Sequence, residues 1–139
     1  MWQQNHCGIY RTTDGAANWQ DITQKDGPAN FGFGIIADEK NLEEAWVVPA
    51  ISDVMRVTID RALCVCHTTD GGKTWEQQRQ GLPQSHCYDL VYRHAMDITG
   101  DTLAFGSTTG NVFFSSDRGQ NWHVLSNYLS DVYSLRFAD

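Results

Sequence analysis

Long apolar runs are missing from this sequence, and so are clusters of positive charge. No stretch approaches the roughly 18 consecutive apolar residues that a transmembrane helix needs, so no membrane-spanning segment is predicted. Lys and Arg together number 10 against 17 Asp and Glu, which gives a formal net charge of −7. Because a nucleic-acid backbone is bound by clustered cationic side chains, we expect no nucleic-acid partner.

An export signal is also missing. Residues 1–6 have neither a basic start nor an apolar stretch, so the sequence predicts a cytoplasmic protein. In that compartment its four cysteines are expected to be reduced and buried as small apolar side chains, with no metal or cofactor. A disulfide or a metal site remains the alternative, although the spacing differs from that of structural zinc sites. The residues concerned are His6, Cys7, Cys64, Cys66, His67, His86 and Cys87.

Helical periodicity is absent as well, and short strand-like segments alternate with turns along the whole chain. One set of four predicted strands covers residues 31–37, 44–48, 62–67 and 75–79. A second set covers residues 88–95, 103–107, 112–115 and 122–126. Two strands, 7–11 and 19–23, precede these sets, and one strand, 132–137, follows them.

One turn pattern occurs three times. The sequences are TTDGAANW at 12–19, TTDGGKTW at 68–75 and SSDRGQNW at 115–122. Asp followed by small residues between β-prone segments is typical of a tight turn that joins two strands, because glycine reaches positive φ without a steric penalty. Asp14, Asp70 and Asp117 lie 56 and 47 positions apart, which is the length of one four-stranded β-propeller blade.

The sequence therefore predicts an all-β protein made of β-propeller blades, each a four-stranded antiparallel meander. Within a single partial propeller domain, 1–139, residues 1–26 supply the last two strands of a blade. Residues 30–80 and 86–127 form one blade each, and 131–139 supply the first strand of a further blade.

Because a closed propeller needs at least about four blades, we expect a homo-oligomer. In the simplest arrangement, a twofold dimer, each chain donates 132–137 to the strand region 7–11 of the other and closes a six-bladed ring.

The repeated pattern Ser/Thr-x-Asp-x-Gly-x-x-Trp resembles the Asp-box, or BNR repeat, of sialidases and sialidase-like propellers. Residues 68–75 and 115–122 match it in full, whereas the first copy has Ala16 in the glycine position. Residues 2–6, 46–49 and 106–110 also resemble the C-terminal part of bacterial sialidase-like repeat proteins. The resemblance implies one part of a longer propeller, of a kind commonly labelled a glycosyl hydrolase.

We expect the repeated residues to be structural. A turn Asp accepts hydrogen bonds from nearby backbone N–H groups, glycine permits the bend, and Trp packs into the blade. Three copies on separate blades would lie too far apart to share one ligand. This interpretation covers Thr12, Asp14, Trp19, Thr68, Asp70, Gly72, Trp75, Ser115, Asp117, Gly119 and Trp122.

A ligand is therefore expected on the opposite face, near the propeller axis, where the loops between second and third strands and between blades lie. The candidate ligand could be a carbohydrate, a small molecule or a protein partner. The candidate residues are Gln3, Asn5, His6, Arg56, His86, Tyr88 and Arg93.

Catalysis is the competing hypothesis. The resemblance implies a sialidase site of three arginines, a Tyr–Glu nucleophile pair and an Asp acid/base; Arg56 and Arg93 could clamp a carboxylate, but the other roles match no residue. A general glycoside hydrolase needs two carboxylates, for which Asp53 and Asp89 are candidates. We therefore expect a binding module. The first alternative is a hydrolase whose site is completed by oligomerisation or by further blades, and the second is an assembly scaffold.

Overall fold

The computed structural model describes residues 1–138, which form three antiparallel sheets. The first sheet contains β1 (Trp2–Asn5), β2 (Gly8–Arg11) and β3 (Gln20–Asp21). The second contains β4 (Gly32–Ala37), β5 (Ala45–Pro49), β6 (Val65–Thr68) and β7 (Glu76–Gln78). The third contains β8 (Met96–Thr99), β9 (Thr102–Gly106), β10 (Val112–Ser115) and β11 (His123–Ser126). A 3-10 turn, Ile59–Arg61, lies between β5 and β6.

Both four-stranded sheets are meanders in which consecutive strands pair, so the predicted all-β, blade-type fold is confirmed. β1 contacts β4, and β4 contacts β8, which sets the three sheets side by side. Two apolar cores fill the spaces between neighbouring sheets. Within residues 1–138, no helix is long and apolar enough to cross a membrane.

Three expectations about the strands are wrong, and the first two concern residues 2–5 and 88–95. Residues 2–5, expected in a loop, form β1, because they pair with β2 in register from Trp2↔Arg11 to Asn5↔Gly8. Residues 88–95, expected as an inner strand, run irregularly, and the strand begins only at Met96. The reason is that Asp89 is bound by side-chain donors and Leu90 O accepts from Thr108 N at 2.9 Å, so this segment has no strand ladder.

The last predicted strand is not formed between 132 and 137. Ser134 makes an isolated parallel bridge to His94, and Leu135 N donates to His94 O at 2.9 Å. Residue 139, which belongs to the predicted final segment 131–139, lies outside the described residues.

The three repeated turns, called Asp turns 1, 2 and 3 in chain order, share one set of hydrogen bonds. In Asp turn 2, Thr68 Oγ1 donates to Asp70 Oδ1 at 2.9 Å and accepts from Gly72 N at 3.0 Å. Both the N–H and the hydroxyl of Thr74 donate to the Asp70 carboxylate, at 2.9 and 2.7 Å. Equivalent bonds recur in the other two turns, so the carboxylates are fully used within the turns.

Arg118 joins the second and third sheets through its side chain. It follows the Asp of Asp turn 3 with φ of 58°, and its Nε donates to Glu44 Oε1 at 3.1 Å. The guanidinium also pairs with Glu44 Oε2 at 2.8 Å, Asp38 Oδ2 at 2.5 Å and Asp101 Oδ1 at 3.1 Å. Burial disfavours the charged form, but the bonds to these three carboxylates outweigh it and raise the pKa of Arg118.

The backbone of Arg118 is held by the same sheet. Its carbonyl oxygen accepts from Trp46 Nε1 at 3.3 Å and from Gln78 Nε2 at 3.0 Å. The buried ring of His67 stacks on Trp46 with centroids 4.6 Å apart, and its Nε2 lies 2.8 Å from Glu44 Oε1. We call this cluster the Arg118 joint; it consists of Asp38, Glu44, Trp46, His67, Gln78, Asp101 and Arg118.

Replacing Arg118 with Met is expected to lower the free energy of unfolding by about 3 kcal/mol, because it leaves the buried Glu44 carboxylate without its main cation. Arg118→Lys keeps the charge but loses the bidentate fork, so it should fall between wild type and Met. Urea unfolding followed by tryptophan fluorescence measures both. Arg93→Met, at an exposed arginine, is the control and should change little. Equal effects of Arg118→Met and Arg93→Met would contradict the joint.

Acid should weaken the Asp turns. Hydrogen bonds, chiefly from Thr74 N–H in Asp turn 2 and from Asn121 in Asp turn 3, lower the pKa of Asp70 and of Asp117 from 3.8 to about 2. A pKa that is lower in the folded state contributes stability above the unfolded value and loses it as pH falls through the folded value. The urea midpoint should therefore fall between pH 4 and pH 2, less steeply in Asp117→Asn. An unchanged slope in that variant would refute this assignment.

Candidate functional site

The two faces of the stacked sheets are distinguished by their turns, as predicted. The Asp turns lie with the first-to-second-strand turns, since Gly71 N donates to Glu43 O and Arg118 N to Asp101 O, each at 2.9 Å. The opposite face, called the loop face, carries the β1–β2 turn at His6 and the long connection between β5 and β6. The candidate site lies on the loop face.

An arginine over an aromatic ring forms the centre of this site. Arg56 is exposed, and its Cζ lies 5.6 Å from the ring centroid of Phe33. Its Nε donates to Asp53 O at 2.8 Å, and its Nη1 lies 3.5 Å from the hydroxyl of Tyr92. Among residues 1–138, no carboxylate oxygen lies within 4.0 Å of this guanidinium. The cation is thus fixed in place with N–H groups available to an anion.

Aromatic rings from three parts of the chain surround Phe33. His6 meets it edge-on at 6.0 Å, and Phe31 does so at 5.2 Å, with interplanar angles of 88° and 86°. Tyr92, which precedes the third sheet, meets it at 5.8 Å and stacks on the exposed Tyr133 at 5.7 Å. His6, Phe31, Phe33, Arg56, Tyr92 and Tyr133 are called the aromatic–arginine cluster.

Exposed aliphatic side chains lie beside the cluster. Ile51, Val54 and Met55 are 45%, 91% and 57% exposed on the loop that carries Arg56. The loop has a defined shape, because Ile51 N donates to Val57 O at 3.0 Å and Met55 N to Ser52 Oγ at 2.9 Å. A charged group and an apolar edge are therefore presented together.

The structure brings two of the predicted site residues together, His6 and Arg56, through their shared contact with Phe33. Asn5 ends β1 and accepts from Cys7 N at 2.7 Å, which is a turn-forming role. Gln3 lies within β1, opposite Tyr10.

The other three predicted residues lie on the connection to the third sheet. His86, Tyr88 and Arg93 are exposed, and within residues 1–138 none forms a ring contact or an ion pair with the cluster. Phe33 and Tyr92 were not predicted, because an alternating Phe-Gly-Phe pattern indicates only a strand and an isolated Tyr has no motif. Their joint position depends on how the second and third sheets pack.

The two candidate catalytic carboxylates, Asp53 and Asp89, differ in their exposure and in their hydrogen bonding. Asp53 is half exposed, and its Oδ2 lies 3.8 Å from His6 Nδ1. Asp89 is 5% exposed, and its carboxylate accepts hydrogen bonds from four side-chain donors, one of which is the hydroxyl of Ser107. The partners other than Ser107 are Cys87 Sγ at 3.0 Å, Thr109 Oγ1 at 2.7 Å and Asn111 Nδ2 at 2.8 Å.

These contacts make Asp89 an anchor of the irregular segment that precedes the third sheet. Burial alone would raise the pKa of Asp89, but the donors from Cys87, Ser107, Thr109 and Asn111 outweigh it and lower the pKa. A carboxylate held charged and enclosed by donors has no proton to give and no access to a substrate. Its position does not support a role as general acid.

The alternative metal site is not assembled. Among residues 1–138, no three His, Cys, Asp or Glu side chains are grouped to hold an ion. His67 belongs to the Arg118 joint. Cys64, Cys66 and Cys87 are free and buried, as predicted, whereas Cys7 is free and exposed because it lies in the β1–β2 turn.

No family model matches this chain, and no curated protein matches it in sequence. Three solved β-propeller structures are similar to it in fold. YCF48 bound to D1 peptide has a TM-score of 0.57 and 20% identity, over 94% of this chain and 38% of that one.

The other two are GH74 enzymes. The enzyme from Niastella koreensis has a TM-score of 0.62 and 12% identity, over 92% of this chain and 20% of that one. The xyloglucanase from Xanthomonas campestris has a TM-score of 0.56 and 19% identity, over 86% of this chain and 18% of that one. This chain thus spans 18% to 38% of the length of these three propellers, and the likeness shows the fold.

Replacing Asp89 with Asn is expected to lower the free energy of unfolding by about 2 kcal/mol, because an amide cannot accept all the donors that meet there. Asp26→Asn, at an exposed aspartate, is the matched control. Thermal or urea unfolding of both variants tests the anchor role. A stable Asp89→Asn protein would instead favour a functional role for this carboxylate.

Proposed function

We propose that this chain is a sialidase-like Asp-box (BNR) repeat module that binds a protein partner through a peptide carboxylate, without catalysis. The observation that carries the proposal is Arg56. Its guanidinium is laid over Phe33 and braced by Asp53 O and Tyr92, yet no carboxylate of residues 1–138 pairs with it. A carboxylate ligand would complete this arrangement with a bidentate, charge-assisted pair.

The surroundings of Arg56 favour a peptide over a sugar. Val54 and Met55, the two residues before Arg56, expose aliphatic surface on the same loop, which suits an apolar peptide side chain next to a terminal carboxylate. Phe31 and Phe33 pack edge-to-face on one another, so their ring faces are used within the cluster. The structure of YCF48 bound to D1 peptide supports a peptide as a ligand for a propeller of this fold.

Glycoside hydrolysis is the second candidate, and the two GH74 neighbours favour it. It requires two carboxylates on either side of the scissile bond. Asp53 could provide one, but Asp89 is enclosed by donors and cannot readily provide the other. A hydrolase would therefore need a carboxylate from outside this chain. A role as an assembly scaffold is compatible with the leading proposal, because a scaffold also binds segments of other proteins.

The test is peptide binding by fluorescence anisotropy. A labelled library of short peptides with an apolar penultimate residue is offered once with a free C-terminal carboxylate and once amidated. We expect binding of the free-acid form, and a loss of about tenfold to a hundredfold in affinity on amidation or in Arg56→Gln, the value of a charge-assisted hydrogen bond.

Arg79→Gln is the matched control, because within residues 1–138 the Arg79 side chain bonds only to Gln77 and Gln84, and because the substitution makes the same change in net charge. It should bind like wild type. Equal binding of acid and amide peptides would overturn the carboxylate proposal. Turnover of xyloglucan or of fluorogenic glycosides by wild type would favour the hydrolase instead.

A further inference from the structure

Within residues 1–138, the outer flank of the third sheet lacks the cover that the first two sheets have in the corresponding region. The third residue after the Trp of each Asp turn is Ile22, Gln78 or Leu125. In the third sheet a register shift makes Leu125 the extra residue of a bulge, between Val124, which pairs with Phe113, and Ser126, which pairs with Val112. Asp turn 2 covers Ile22, since a Cβ at Gly72 would collide with that side chain. Asp turn 3 covers Gln78 in the same manner through Gly119. Gln78 is 4% exposed, whereas Leu125 is 67% exposed.

The uncovered flank is apolar where the second sheet is polar. The residue before the Thr or Ser that opens the Asp turn is His67 in the second sheet and Phe114 in the third. His67 is buried in the Arg118 joint, and Phe114 is half-buried beside His123, with ring centroids 5.4 Å apart. Just beyond β11, Tyr128 and Leu129 are 94% and 54% exposed. We call Phe114, His123, Leu125, Tyr128 and Leu129 the third-sheet flank.

Asp turn 1 has the complementary surface. Its Trp19 is 38% exposed, while Trp75 and Trp122, which pack between sheets, are 9% and 2% exposed. Ala16 stands where the other two turns have the glycine that meets the preceding sheet, with φ of 75°. Asp turn 1 is thus folded like the other two, but it has no sheet before it within residues 1–138.

We infer that the third-sheet flank is covered by the first sheet of a second copy of this chain, with Asp turn 1 lying against Leu125. The two contacts between neighbouring sheets inside the chain provide the geometry. In each of them an Asp turn lies on the flank of the preceding sheet. Every chain supplies one turn and one flank. Two copies therefore make two identical contacts and close a ring of six sheets with twofold symmetry.

The C-terminal segment fits the same arrangement. Residues 132–137 follow the third-sheet flank and run beside His94, to which Leu135 N donates at 2.9 Å. Phe137 N donates to Asp97 Oδ2 at 2.9 Å. In the dimer this segment takes the inner position next to β1 of the second copy and adds a fourth strand to that sheet.

Sedimentation velocity across a concentration series tests the dimer. Wild type should sediment as a dimer, and Leu125→Arg should shift it to monomer because a buried charge would be left without a partner. Val54→Arg is the control, since this aliphatic residue, which is 91% exposed, lies on the loop face and should leave the dimer intact. Circular dichroism confirms that each variant is folded.

Cross-linking tests the orientation and does not depend on Leu125→Arg being folded. Inside the chain, Gln24 Nε2 donates to Lys73 O at 3.3 Å, and the equivalent pair across the dimer is Asn127 with Ala17. In a Cys7→Ser background, a mixture of Ala17→Cys and Asn127→Cys chains should form a mixed disulfide. A disulfide between two Asn127→Cys chains, or a wild-type chain that stays monomeric, overturns the inference.

Discussion

The Arg118 joint is the interaction on which the arrangement of the second and third sheets depends. One guanidinium balances Glu44, Asp38 and Asp101, and its own carbonyl group is bound by Trp46 and Gln78. A two-faced sheet of four short strands cannot bury both faces alone, so each sheet must pack against its neighbours. The joint adds direction to this packing, because its bidentate pair between Arg118 and Glu44 forms at only one relative position of the sheets.

The Asp turns fix the geometry within a single sheet, as the Arg118 joint does between two sheets. Each carboxylate binds the backbone N–H and the side chain of the residue four positions later, which fixes the turn without help from other sheets. Asp turns 2 and 3 then present a glycine and a Trp to the preceding sheet. Local hydrogen bonding and packing between sheets are thus specified by the same eight residues.

The repeat made the fold predictable, whereas the site was only partly so. Strand period and turn chemistry are local properties, so 112–115 and its neighbours were placed correctly from sequence alone. The segment 88–95 was misplaced because Asp89 draws its partners from residues about 20 positions away. The aromatic–arginine cluster combines residues from 6 to 133, and no local pattern announces that Phe33 lies beneath Arg56. Arg118 was overlooked for the same reason, since its partners lie on another sheet.

Arg56 and its neighbours come from segments that belong to different sheets, and this makes the site sensitive to how those sheets are held. His6 follows β1, Phe33 lies in β4, and Tyr92 precedes β8. A ligand that contacts all three would bind the assembled molecule and not its separated parts. By mass action, occupancy would then raise the melting temperature, and any loosening between sheets would weaken affinity by the same free energy. Distant packing residues would therefore act as determinants of affinity.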